Sequence, residues 1–104
     1  MTTIEKAEKL TEYLKLNHRD NDPVVDSVLD KLLDRERQQL LKQSAELESE
    51  LAQFEQQYGM ASPEFCVKFE NGELGDNLDF VDWLGAWRVY QTVQNSLGLL
   101  PIPE

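Results

Sequence analysis

The chain has 104 residues with a hydrophobic share of 40%, enough for one domain with a modest core. Twenty acidic against ten basic residues give a formal net charge of −10, which excludes an independent nucleic-acid binder, because phosphate binding needs clustered Lys and Arg. The lone cysteine, Cys66, excludes an internal disulfide and a cysteine-based zinc site, and no apolar run approaches the roughly 20 residues of a membrane span.

A reducing cytoplasm is the compartment this cysteine usage predicts, and the start MTTIEKAEKL lacks a secretory apolar region. The charge is uneven: residues 1–21 are neutral, 22–58 carry −5 and 59–104 another −5. That imbalance fits either a solvated acidic surface or one matched to a basic partner.

The first predicted element is an amphipathic helix from residue 2 or 3 to 16. Thr2 and Glu5 match a capping box, and Ile4, Ala7, Leu10 and Leu14 recur at helical spacing. The polar run NHRDND then predicts a turn, and His18 within it has no second histidine or nearby cysteine to make a metal site or a nucleophile–base pair, so a surface role is expected.

Asp22-Pro23 reads as a second helix start, a capping carboxylate followed by a proline at the first helical position. Nothing interrupts the pattern until Gly59, so 23–58 is expected to be one long helix. Leu33, Leu40, Leu47 and Phe54 stand seven apart, beside a second row of Arg37, Ser44, Leu51 and Tyr58 that is apolar only in its latter part. A coiled-coil seam and an ordinary helical core both fit this stripe. With only short helices elsewhere to cover it, a homo-oligomer is expected through Leu33, Leu40, Leu47, Leu51 and Phe54.

Beyond Gly59, Ser62-Pro63-Glu64 resembles another cap and predicts a short helix to about residue 69 with Phe65 and Phe69 on one face. The stretch ENGELGDN is a tight connection. A last helix is predicted from 76 or 77 to 97, with Phe80, Trp83, Leu84, Trp87 and Tyr90 on one face and Val81, Gly85, Val89 and Val93 in a second row. Apolar breadth of this kind suggests burial from two directions, with Gly85 admitting a close backbone. The two prolines of the tail, residues 98–104, favour an extended path.

The expected fold is therefore all-α: a single domain of 1–104 with an N-terminal helix and turn (1–21), a long helix (22–59) and a short helix, acidic turn and aromatic helix (60–97), assembled as a helical-bundle oligomer. No catalytic set is visible, so no enzyme is expected. Glu70, Glu73, Asp76, Asp79 and Asp82 lack the spacing of an EF-hand loop, so neither metal nor cofactor is expected; helix capping by Asp76 and Asp79 and solvation of Glu73 account for them first, with a basic partner as the alternative.

The stretch LAQFEQQYGMASPEFCVKFENGELGDNLDFVDWLGAW carries a resemblance. Phe54-Glu55, Tyr58-Gly59-Met60, the paired Phe65 and Phe69, Gly72-Glu73-Leu74-Gly75-Asp76 and the helix through Asp79 and Trp83 resemble the signature of small prokaryotic antitoxins. The likeness covers about residues 36–91. It implies a cytoplasmic protein that neutralises a small ribonuclease-like toxin by direct binding. No basic reading helix accompanies it, so DNA-bound autoregulation is not expected. On this reading Glu73, Asp76, Asp79 and Asp82 speed encounter with a basic toxin, and Trp83 and Trp87 anchor it. The same tryptophans would also suit a small helical core. The alternative function is a homo-oligomeric scaffold or adaptor with no toxin.

Overall fold

The computed structural model describes residues 1–17 and 22–101, and in it the chain is all-α. The helices are α1 Thr3–Leu16, α2 Pro23–Tyr58, α3 Ser62–Glu70 and α4 Leu78–Leu99, with no strand among the described residues. The turn expected through His18 and the end of the tail at 102–104 lie outside the described residues. The chain divides into two compact units, Met1–Leu32 and Leu33–Glu104.

In the first unit, local caps set the helix ends. The Thr2 hydroxyl accepts from the Glu5 backbone N–H at 3.1 Å and donates to the Glu5 carboxylate at 3.1 Å, so α1 begins where the capping box predicts. Asp22 accepts from the backbone N–H of Val24 and Val25 at 3.0 and 3.2 Å, and Pro23 opens α2. No residue of α1 is buried.

The second unit is an antiparallel pairing of α2 with α4, with α3 packed at the end where the chain reverses. The positions Leu33, Arg37, Leu40, Ser44, Leu47, Leu51, Phe54 and Tyr58 are all buried or half-buried, while their neighbours along α2 are largely exposed. On α4, Asp79, Trp83, Ala86, Tyr90, Val93 and Leu97 show the same alternation of four and three. Paired contacts fix the register. Tyr58 donates its hydroxyl to Asp79 at 2.5 Å, Phe54 stacks on Trp83 with centroids 5.6 Å apart, Tyr90 donates to Glu48 at 3.1 Å, and the Gln94 amide donates to Ser44 Oγ at 2.7 Å. Arg37 donates to the Pro101 carbonyl at the far end. Each step back along α2 is thus matched by an equal step forward along α4.

This geometry corrects in part the premise that the helices available are too short to cover the α2 stripe. The 22 residues of α4 lie along it from Tyr58 past Ser44, and Pro101 beyond the helix meets Arg37, whereas Val28, Leu29 and Leu32 further back on α2 stay exposed. The polar positions Arg37 and Ser44, which interrupt the apolar heptad row, each meet a polar group on the returning segment. A polar seam position that finds such a partner stabilises one register over its alternatives.

Aromatic packing builds the core at the reversal. Phe65 and Trp83 stack almost parallel, 3.8 Å between centroids and 5° between planes, and both are wholly buried. Phe80, Leu51 and Ala86 complete the buried set, with Phe54, Tyr58 and Phe69 packed against it. Burying a side chain such as Phe65 or Leu51 contributes about 1.5–3 kcal/mol.

Glycines end two helices. Gly59, with φ +67°, donates its N–H to the Glu55 carbonyl at 2.9 Å, the single-bond left-handed stop. Gly72, with φ +75°, bonds to Phe69 O at 3.1 Å while Glu73 N–H bonds to Lys68 O at 3.0 Å, the paired bonds of a Schellman stop. The start of α3 departs from expectation. Ala61, not Ser62, is the N-cap residue and makes no side-chain bond. The Glu55 carboxylate reaches from α2 to accept the Ser62 N–H at 2.7 Å, which frees the Ser62 hydroxyl to accept the Trp83 indole N–H at 2.9 Å.

Candidate partner-binding surface

The loop between α3 and α4 presents the carboxylates singled out in the sequence. The left-handed turns at Gly72 and Gly75 (φ +80°) carry the chain from α3 to Asn77, whose side chain accepts the Asp79 N–H at 2.9 Å and caps α4. Glu73, Asp76 and Asp82 are exposed, and among the described residues none has a salt-bridge partner. Asp79 is half-buried and engaged with Tyr58. That hydrogen bond, then burial, then the charge of Asp79 raises the Tyr58 phenol above its ordinary value. Among the described residues, no group of three or more His, Cys, Asp and Glu side chains is placed to hold a metal ion.

The two tryptophans part company. Trp83 is fully enclosed, with its indole N–H satisfied by Ser62, and has no surface left to offer a partner. Its expected role as an anchor is corrected: the i, i+4 spacing to Trp87 places both rings on one side of α4, and that side is packed inside the unit. Trp87 is half-buried, stacked on Tyr90 with centroids 5.9 Å apart. Tyr90 in turn holds Glu48, which raises its phenol in the same manner as Tyr58. Of the residues expected at an oligomer interface, Leu51 is buried, Leu47 and Phe54 pack on this chain's own core, and Leu33 and Leu40 are half-buried.

What α4 leaves uncovered is its second row. Leu78, Val81 and Val89 are 79%, 54% and 43% exposed, and Gly85 between them is exposed as well. Apart from the adjoining residues and the helix's own backbone, no atom of the described residues lies within 4 Å of where a Gly85 side chain would begin, so the close backbone approach expected there is not seen among them. Val93, assigned to the same row by spacing, is instead buried. Spacings of three and four place Leu78, Val81, Gly85 and Val89 on one face, and Asp82 lies on its flank. The sequence showed this row but gave no sign that it, and not the tryptophan row, would stay open.

Cys66 is half-buried on α3 and donates to Glu70 at 3.5 Å. Burial first, then the hydrogen bond and negative charge of Glu70, pushes the thiol up, against a smaller opposing pull from Arg88. Arg88 itself meets Glu70 at 3.5 Å across the exposed edge of α3 and α4. The arrangement favours the protonated thiol. No helix among the described residues is long and apolar enough to cross a membrane. No protein-family model, curated protein or solved structure matches the chain.

Proposed function

We propose that this protein is a non-enzymatic binding protein of the cytoplasm that holds a basic protein partner, as an antitoxin holds a small toxin. The observation that carries the reading is the uncovered face of α4, where the apolar row Leu78, Val81, Gly85 and Val89 is flanked by Asp82, a carboxylate without an ion-pair partner among the described residues. Apolar surface supplies contact area that slows release, and unpaired charge of one sign speeds the approach of a partner of the other. Gly85 gives the row a shallow centre in which a helix or aromatic side chain of the partner could lie close. The resemblance of residues 36–91 to antitoxins supplies the partner class, and this acidic chain suits a basic toxin.

Co-expression with a small basic protein encoded beside this chain tests the reading. That neighbour alone should arrest growth, and the chain should restore it and co-purify with the neighbour. Val81→Lys with Val89→Lys, both at exposed positions, should keep the fold and abolish rescue. A neighbour without effect on growth, or full rescue by the double variant, would exclude this surface and its proposed use.

A further inference from the structure

The Met1–Leu32 unit carries further exposed apolar side chains on both of its helical segments. Ile4 and Leu10 of α1 are 71% and 42% exposed, and Val24, Val28, Leu29 and Leu32 in the first turns of α2 are 72%, 53%, 38% and 48% exposed. On α1 the small residues Ala7 and Thr11 follow Ile4 at helical spacing and leave a shallow, open depression beside Glu8 and Glu12. Such a depression is a hole of the kind that a neighbouring helix fills with a side-chain knob. A helix of 14 residues is marginal by itself in water, because helices of this length depend on packing of their apolar face, yet no residue of α1 is buried.

Charge selects the occupant. Residues 1–32 contain seven acidic and five basic side chains, whereas residues 33–104 contain thirteen acidic and five basic. Along α1 itself, Glu5, Glu8 and Glu12 are offset by Lys6, Lys9 and Lys15. A basic protein is drawn more strongly to the acidic unit, with thirteen acidic and five basic side chains, than to this one. An anionic membrane surface needs a cationic helix face, which α1 lacks. Two copies of a chain with net charge −10 repel each other, and the face on which they can meet with least repulsion is the nearly neutral one. The geometry points to a second copy of this chain as the occupant: α1 and the first turns of α2 form a self-association surface, separate from the α2 seam that α4 already fills. Six aliphatic side chains of this exposure offer on the order of several hundred Å² per copy, the scale of the roughly 800 Å² per partner in a standard interface.

The inference stands apart from the proposed basic partner and is tested without one. Sedimentation of the full chain between about 1 and 200 μM should show reversible dimers or larger species, with helical circular dichroism rising as they form. Added salt should strengthen the association by screening the acidic units. Leu10→Lys with Val28→Lys should weaken association at least tenfold while the near-ultraviolet signal of the buried Trp83 stays unchanged. Val67→Lys, at an exposed apolar position of α3, should leave it as it was. A wild-type chain that is monomeric throughout, association lost in Val67→Lys but kept in the double variant, or co-flotation of the wild-type chain with phosphatidylcholine–phosphatidylglycerol vesicles would each overturn the inference.

Discussion

Trp83 and Ser62 are joined by a hydrogen bond of 2.9 Å from the indole N–H to the serine hydroxyl, in the most enclosed part of the molecule. Twenty-one residues separate them in the chain, and the bond ties the first turn of α3 to α4. Trp83→Ala should cost about 3–5 kcal/mol, the range for a large buried aromatic truncated to a methyl. Ser62→Ala removes only a hydroxyl, but it leaves the indole N–H buried without an acceptor and should cost about 1–3 kcal/mol. Urea unfolding followed by tryptophan fluorescence reads both, and a Ser62→Ala variant as stable as the wild type would show that the bond contributes nothing.

Glu55 is the cap that α3 lacks in its own sequence. Its carboxylate takes the Ser62 N–H at 2.7 Å, and a negative charge at a helix N-terminus is favourable in itself. Glu55→Ala should therefore destabilise the chain by about 0.5–2 kcal/mol. Glu55→Gln should cost less, because the amide oxygen still accepts. Equal losses for the two variants would assign the effect to charge alone.

Alkali should loosen the α2–α4 pairing. Tyr58 and Tyr90 both have phenols held above their ordinary value, chiefly because each donates to a carboxylate and loses that bond on ionising. The folded chain then holds these protons more tightly than the unfolded chain does. Their contribution is whole below the ordinary tyrosine value of about 10 and is lost as pH rises through the higher folded-state values. The urea midpoint should fall as pH rises above about 10. Tyr58→Phe with Tyr90→Phe should lower stability at neutral pH and flatten that decline, and an undiminished decline in the double variant would refute the assignment.

Gly85 costs the helix stability with no packing reason among the described residues. With open space around it, Gly85→Ala should stabilise the isolated protein by about 0.5–1 kcal/mol. A larger side chain there, as in Gly85→Leu, should leave the fold intact and reduce affinity for a partner seated on this face. Thermal melts of the free protein and titration of the complex separate the two effects. A Gly85→Ala variant less stable than the wild type would mean that the helix is strained at this point.

Much of the fold was legible because its punctuation is local. Thr2 with Glu5, Asp22-Pro23, Tyr58-Gly59 and Asn71-Gly72 each mark a helix end through bonds that span only a few residues, and the observed ends fall at or next to them. What covers the α2 stripe was not legible. Periodicity shows which side of a helix is apolar and says nothing of what lies against it, so the polar Arg37 and Ser44 looked like flaws in a heptad until Pro101 and Gln94 stood opposite them. The tryptophans pose the same difficulty: Trp83 and Trp87 share a side of α4, and the rings of Phe54, Tyr58 and Phe65 stacked on Trp83 decide which is enclosed. Glu55 was out of reach for another reason, since it caps a helix that begins seven residues further on and belongs to a different element.

The polar contacts along the seam bear on how the pairing could go wrong. Sliding α4 by one heptad along α2 would still lay much of one apolar row on the other, so apolar burial alone discriminates weakly between the two alignments. The slide moves the helix by about 10 Å at 1.5 Å per residue. At that distance Tyr58 no longer reaches Asp79, Tyr90 leaves Glu48, Gln94 leaves Ser44, and Arg37 loses the carbonyl at Pro101. A misaligned hairpin would thus keep its apolar contacts and forfeit all four bonds together, leaving the buried Ser44 hydroxyl with the wrong neighbour.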